Sequence, residues 1–281
     1  MVMSKTPYKR LSVREQKKVI KQYLSGKSCE TIAKSFNVNR VTIGNILRRN
    51  NVKIRTSFEA LKLPVDHNYF ETIDSEEKAY WLGYFICDGC VHKNICTIRL
   101  CGKDVHHLKR FKNALKAEHK IGEGIYGEHS FGQLQIKSEK LVYDLSKYGV
   151  IPRKTGKEIL PLLNQDLMRH LIRGIVDGDG CLTYKKSYNN TKRLDFDLNI
   201  CSASLQFLKD IKKYINDIFG ERFGYLETKK KPPHYNPYYS LHFSGNQKFM
   251  MLCEWLYTDS NIHLERKKIR YDLCKNQDIY K

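Results

Sequence analysis

One pattern occurs twice in this chain. The runs Ala79-Tyr80-Trp81-Leu82-Gly83-Tyr84-Phe85-Ile86-Cys87-Asp88-Gly89-Cys90 and His170-Leu171-Ile172-Arg173-Gly174-Ile175-Val176-Asp177-Gly178-Asp179-Gly180-Cys181 share Gly, four residues, then Asp-Gly-Cys, with Asp88 and Asp179 standing 91 residues apart. The residues downstream of each run repeat as well. Ile98-Arg99-Leu100-Cys101 before Leu108 to Phe111 is echoed by Leu198-Asn199-Ile200-Cys201 before Leu208 to Ile211, a strand and then an amphipathic helix in each half. Gln133 to Lys137 and Ser240 to Phe243 supply later strands, each leading into a further helix. The expected fold is therefore α+β: two pseudo-symmetric αββαββα halves, placed at 76–160 and 161–281.

Charge bears on the partner. The 281 residues hold 50 Lys and Arg against 30 Asp and Glu, a net of +20, which fits a polyanion better than an acidic small molecule. Residues 1–66 hold 15 Lys and Arg against 4 Asp and Glu, so the first quarter is a basic module. No apolar run approaches the roughly 18 residues of a membrane span, and the start lacks a signal-peptide stretch, so no membrane partner and a cytoplasmic location are expected. The 9 cysteines are odd in number and read as reduced thiols.

The basic module predicts three helices in residues 1–55. Leu11 to Leu24 places Val13, Val19, Ile20, Tyr23 and Leu24 at helical spacing; Ser28 caps a short second helix bearing Ile32 and Ala33; Asn37 and Asn39 bracket a tight turn; a third helix runs from about Arg40 to Asn50. Thr31 to Ile43 resembles the helix-turn-helix of resolvase and transposase DNA-binding domains. That resemblance implies that Ile43 and Leu47 face inward, while Asn39, Arg40, Thr42, Asn45 and Arg49 face outward toward base edges in the major groove. The stretch to Ser75, with 56–75 as its connector, reads either as an arm lying along phosphates or as a tether.

The paired motifs resemble those of the LAGLIDADG homing endonucleases in their monomeric, two-motif form, over roughly residues 69–275. The resemblance implies that Gly83 and Gly174 let two motif helices approach across a pseudo-twofold and that Asp88 and Asp179 hold catalytic metal. It also implies one cut per strand of double-stranded DNA. A carboxylate at a helix C-terminus opposes the macrodipole at roughly 0.3–1 kcal/mol. Two such ends at one axis repel, and a hard cation such as Mg2+ (or Mn2+) relieves both conflicts. Gly89 and Gly180 are expected to cap the helices with positive φ and to leave carbonyls free as further ligands. Lys154 and Lys267 occupy matching places at the ends of the two halves, where the family carries a lysine; catalytic support and phosphate contact fit them equally well.

Base reading is expected from the polar faces of the sheets. Leu194, Phe196, Leu198 and Ile200 alternate with Asp195, Asp197 and Asn199, and Arg99, Gln133, Gln135, Lys137 and His242 occupy comparable outward positions. Asp195 and Asp197 fit a DNA face less easily unless they accept from cytosine amino groups. The loops Tyr184 to Arg193, with Lys185, Lys186, Lys192 and Arg193, and Thr228 to Tyr239 are expected at the backbone flanking the site. The Cys87–Cys90 pair lacks the partners of a zinc site, and no Gly-rich phosphate loop is present. The expected activity is site-specific DNA cleavage; the rival readings are a DNA-binding regulator on an inactive scaffold and a maturase that binds intron RNA.

Overall fold

The computed structural model describes residues 11–25, 27–54, 63–188, 193–229 and 238–276, and the chain divides into two compact units, Met1–Leu63 and Pro64–Lys281. The first unit holds α1 (Val13–Leu24), α2 (Cys29–Phe36) and α3 (Arg40–Arg49). Ser12 and Glu15 close a capping box on α1, Ser28 caps α2, and Asn37 ends α2 in the left-handed region at φ 52°, which an asparagine tolerates. Val19, Tyr23, Ile32, Ala33, Ile43 and Leu47 form the core of this unit. Val13 and Leu24 are 72% and 71% exposed, whereas Leu11, just before α1, is buried in this core.

The second unit runs α4 (Glu76–Asp88), β1 (Gly89–His92), β2 (Ile95–Cys101), α5 (Val105–Ala114), β3 (Gly122–Tyr126), β4 (His129–Lys137) and α6 (Glu139–Lys147). It repeats the order as α7 (Gln165–Asp179), β5 (Gly180–Lys186), β6 (Leu194–Ser202), α8 (Leu205–Phe219), β7 (Tyr225–Lys229), β8 (Tyr238–Ser244) and α9 (Asn246–Tyr257). A last helix, α10 (Glu265–Lys275), lies beyond the repeat. Both sheets are antiparallel, with orders β1-β2-β4-β3 and β5-β6-β8-β7. Gly89 pairs with Ile98 and Gly180 with Ile200, and these partners pair onward with Leu134 and Leu241, so each motif helix feeds an edge strand in the same way. Pairing thus aligns Ile98 with Ile200, two residues away from the Leu198 expected from the sequence echo. Alternation buries Cys96, Ile98 and Leu100 in one sheet and Phe196, Leu198 and Ile200 in the other.

Part of the expected connector belongs to this unit. Tyr69, Phe70 and Ile73 are buried, Phe70 edges onto Phe85, and the Asp66 amide donates to the Leu115 carbonyl. The two aromatic rings supply enough apolar area to hold 64–75 against the first half despite its weak periodicity.

One core runs through both halves, and at its centre α4 and α7 touch backbone to backbone. A methyl group at Gly83 would collide with the Leu171 carbonyl, and one at Gly174 with the Tyr80 carbonyl. The contact is reciprocal, as a pseudo-twofold requires. Gly83→Ala and Gly174→Ala are each expected to lower unfolding stability by about 1–3 kcal/mol in urea titrations. Gly122→Ala, whose new methyl would come no closer than 3.8 Å to the Gln133 carbonyl, is expected to change it by less than about 0.5 kcal/mol.

Candidate nuclease site

The two motif helices end side by side. Asp88 is the last residue of α4 and Asp179 the last of α7, and the following glycines turn at once into β1 and β5. These glycines do not take the positive φ expected of them: Gly89 has φ −75° and Gly180 φ −76°, both extended. Their need for glycine is steric. A Cβ on Gly89 would stand 2.5 Å from the Phe85 carbonyl oxygen, and one on Gly180 would meet the Val176 carbonyl oxygen, because the chain folds back against the last helical turn.

A third matched pair sits beside the aspartates. Cys87 and Gly178 occupy the same position in the two motifs and face one another, with room for only one side chain: a Cβ at Gly178 would lie 2.6 Å from that of Cys87. The Cys87 thiol reaches the Ile175 carbonyl at 3.6 Å. Asp88 lies alongside, and its Oδ2 would be 3.7 Å from the same Gly178 Cβ. The approach of Cys87 to Gly178 thus brings the two helix ends, and with them the carboxylates, to one place. Burial, and then the charge of Asp179, push the Asp88 carboxyl up to about 6.

Each helix end carries a lysine from the end of its own half. Lys154, in the irregular segment after α6, donates from Nζ to the Cys87 carbonyl at 2.6 Å and remains half-buried. Lys267, in the first turn of α10, is 1% exposed and donates to the carbonyls of Val176, Asp177 and Gly180 at 2.6, 2.7 and 2.6 Å. Both satisfy orphan carbonyls and complement the negative end of the macrodipole. The matched positions expected for the two lysines are therefore present but inequivalent. All three Lys267 protons are engaged by backbone, and the Gly180 carbonyl expected to be free is one of its acceptors.

Two further residues matter that sequence reasoning did not single out. Asp177, fully buried in α7, accepts from the hydroxyls of Tyr80 (2.9 Å) and Tyr257 (2.7 Å) and from the Leu264 amide (2.7 Å). Arg173, also fully buried, donates to the carbonyls of Ile262 and Leu256 and to Glu76, which in turn accepts from the Asn261 backbone and side chain. Together they lock α7 to α4 and to the chain around α9 and α10. The visible signal is two charged residues within the run Leu171 to Gly178, which is otherwise Leu, Ile, Val and Gly. Their pseudo-equivalents in the first motif, Leu82 and Ile86, are apolar.

The expected DNA-facing residues separate into several groups. On the first sheet Arg99 and Gln133 are bonded to each other, with Thr97 and Gln135 paired beside them and Lys137 at the end of β4 opposite Ile95. On the second, Asn199 and His242 are register partners, and Lys185 pairs with Asp195. Lys186 pairs with Leu194 and so has the opposite parity from Lys185, Arg193 stands 3.5 Å from Asp195, and Lys192 lies outside the described residues. In the first unit Arg40, Asn45 and Arg49 are exposed and Thr42 is partly so. Asn39 is exposed and also caps α3, its Oδ1 accepting from the Val41 amide at 2.9 Å. Asn45 accepts from Arg48.

Burial of Asp88 makes stability depend on pH. The folded carboxyl holds its proton to higher pH than the unfolded one, so its contribution to stability is present below about pH 4 and lost as pH rises through about 6. Asp88→Asn in metal-free buffer is expected to raise stability by about 1–3 kcal/mol near pH 8, with the gain vanishing toward pH 4. Urea midpoints at the two pH values check this, and a gain independent of pH would contradict it.

No family model matches the sequence. The replication factor C small subunit of Methanocaldococcus jannaschii is 25% identical over 209 residues, which are 70% of this chain but 11% of that protein's length. Among solved structures, the meganuclease I-SmaMI bound to uncleaveable DNA matches with TM-score 0.50 and 14% identity, over 70% of this chain and 88% of that one. The LAGLIDADG homing endonuclease I-GzeII in complex with its DNA target matches with TM-score 0.50 and 13% identity, over 73% and 89%. I-SmaMI bound to cleaved DNA gives 0.50 and 14%, over 72% and 88%. At such identities the likeness is one of architecture: two motif helices packed through glycine, each feeding a four-stranded antiparallel sheet, give this chain the fold of the LAGLIDADG homing endonucleases.

Proposed function

We propose that residues 64–281 form a site-specific endonuclease for double-stranded DNA that works with a divalent metal held by Asp88 and Asp179. The observation that carries this reading is the meeting of two carboxylates at the C-terminal ends of two helices, one from each half, where mutual repulsion and both macrodipoles disfavour them. A fold gains nothing from that arrangement unless a cation joins it. The donor set suits Mg2+ or Mn2+: hard carboxylate oxygens, few in number, leaving other positions for phosphate and water. Such a cation, when bound, supplies polarisation of the phosphodiester and a lowered pKa for a water ligand.

The chain's own residues do the rest. Asp88 and Asp179 present their carboxylates from helix ends fixed by Gly83 and Gly174, one for each DNA strand. Lys267 holds the end of α7 rigid through three carbonyl bonds and stays out of reach of substrate. Lys154, with one such bond and partial exposure, is the lysine able to approach a phosphate. DNA as partner is supported by the excess of +20 and by the polar sheet faces. It is supported further by the structural relatives, which are described bound to DNA. The three-helix unit adds a second DNA contact through Arg40, Asn45 and Arg49 on α3, raising affinity by avidity. One chain provides both carboxylates, so a monomer suffices.

The test uses the full chain, Mg2+ and a duplex carrying the uninterrupted insertion site of its own gene. The wild type is expected to cut both strands, and Asp88→Asn and Asp179→Asn to cut at least about 100-fold more slowly while binding the duplex equally well. Unchanged cleavage in both variants would remove the proposed roles. Binding without cleavage by the wild type would point to a regulator, and preferential binding of intron RNA to a maturase.

A further inference from the structure

The two sheets present unlike chemistry on their polar faces. On the first, the charged strand residues that share the parity of Gln133 are Arg99 and Lys137, both cationic, while Glu123 of β3 pairs with Gly132 and has the opposite parity. On the second, register places Asp195, Asp197 and Glu227 on the polar face with Lys185, and gives Lys229, at the end of β7, the same parity, so acidic positions outnumber basic ones there. In a chain of net charge +20 this reversal is confined to one sheet.

The groups are also organised differently. Arg99 donates from Nε and one terminal nitrogen to Gln133 Oε1 at 2.9 and 2.7 Å, and its guanidinium lies 4.6 Å from the Phe131 ring centroid. Two bonds and a ring hold the fork in place, while the donors not turned to Gln133 remain for a ligand. A pre-oriented fork of this kind matches a pair of acceptors such as guanine O6 and N7. On the second sheet Asp197 accepts from Ser244 Oγ, and its other oxygen lies 3.3 Å from Asn199 Nδ2 and 3.6 Å from His242 Nδ1. His242 in turn stacks on Tyr225 with centroids 5.0 Å apart. The carboxylate is thus oriented by hydroxyl, amide and imidazole groups, with no Lys or Arg paired to it among the described residues. Against phosphate its charge repels. Against an amino group on a base edge, cytosine N4 or adenine N6, it accepts.

We propose that the two half-sites are read with opposite hydrogen-bond polarity: the Arg99–Gln133 pair donates to guanine in one, and Asp197 accepts from a cytosine or adenine amino group in the other. The inference rests on the reading of this unit as a DNA endonuclease and concerns only which bases it chooses.

Selection of full-length protein against a fully randomised duplex pool, without divalent cation so that nothing is cut, reads this directly. The wild type is expected to enrich a site with guanine at one or two adjacent pairs in one half and a cytosine or adenine requirement on the contacted strand in the other. Arg99→Ala should lower discrimination about tenfold at the guanine positions alone, and Asp197→Asn by a similar factor at the amino-donor positions alone. Both side chains face solvent or a shallow groove, so thermal melts of the variants should match the wild type. The proposal fails if Asp197→Asn merely tightens binding to every sequence, or if either variant weakens all positions evenly, as loss of a phosphate contact does. Failure of the wild type to enrich any sequence would instead remove the DNA reading on which the proposal stands.

Discussion

The reciprocal contact of Gly83 with the Leu171 carbonyl and of Gly174 with the Tyr80 carbonyl is the constraint on which the second unit depends. At ordinary helix separation, with side chains interposed, the two C-terminal ends would diverge by several ångströms. Backbone contact removes that spacing. It then forces a set of consequences: the last carbonyls and the last carboxylates of two helices come together, their dipoles add, and cationic side chains are required nearby. Lys154 and Lys267 answer that requirement with hydrogen bonds to the carbonyls, and their charges offset only part of the burial of the two carboxylates. Burial, and then the charge of Asp179, still hold the Asp88 carboxyl above its ordinary range.

Much of the architecture was legible because its signals are local. Helix caps at Ser28 and Asn37, period-2 alternation in β6, and the repeat of motif, strand and amphipathic helix all depend on residues within a few positions of one another. The departures share the opposite property. Residues 64–75 carry weak periodicity yet dock through Tyr69 and Phe70, whose partners lie in α4 and α5. Gly89 and Gly180 were expected to need glycine for dihedral freedom, whereas they need it for clearance from a carbonyl four residues back.

The site was half readable for the same reason. Asp88 and Asp179 stand out as the ends of duplicated motifs. Asp177 and Arg173 do not, because the groups that satisfy them, Tyr257, Ile262 and Leu264, lie more than 75 residues along the chain, and nothing in the motif announces them. The likeness of Lys154 and Lys267 in sequence conceals a difference in burial that only tertiary packing creates: one lysine sits in an irregular segment, the other is enclosed by a helix the first half lacks.

The facing of Cys87 and Gly178 has a consequence for the modularity of the molecule. The interface between the halves has self-complementary geometry but no longer has self-complementary chemistry. A first half paired with a copy of itself would set cysteine against cysteine where there is space for one side chain, and a second half so paired would bury Arg173 twice without the Glu76 that only α4 carries. Each half has become a specific receptor for the other. The symmetry visible in the backbone is thus a property of shape alone, and covalent linkage of the two halves has become a condition of their stoichiometry.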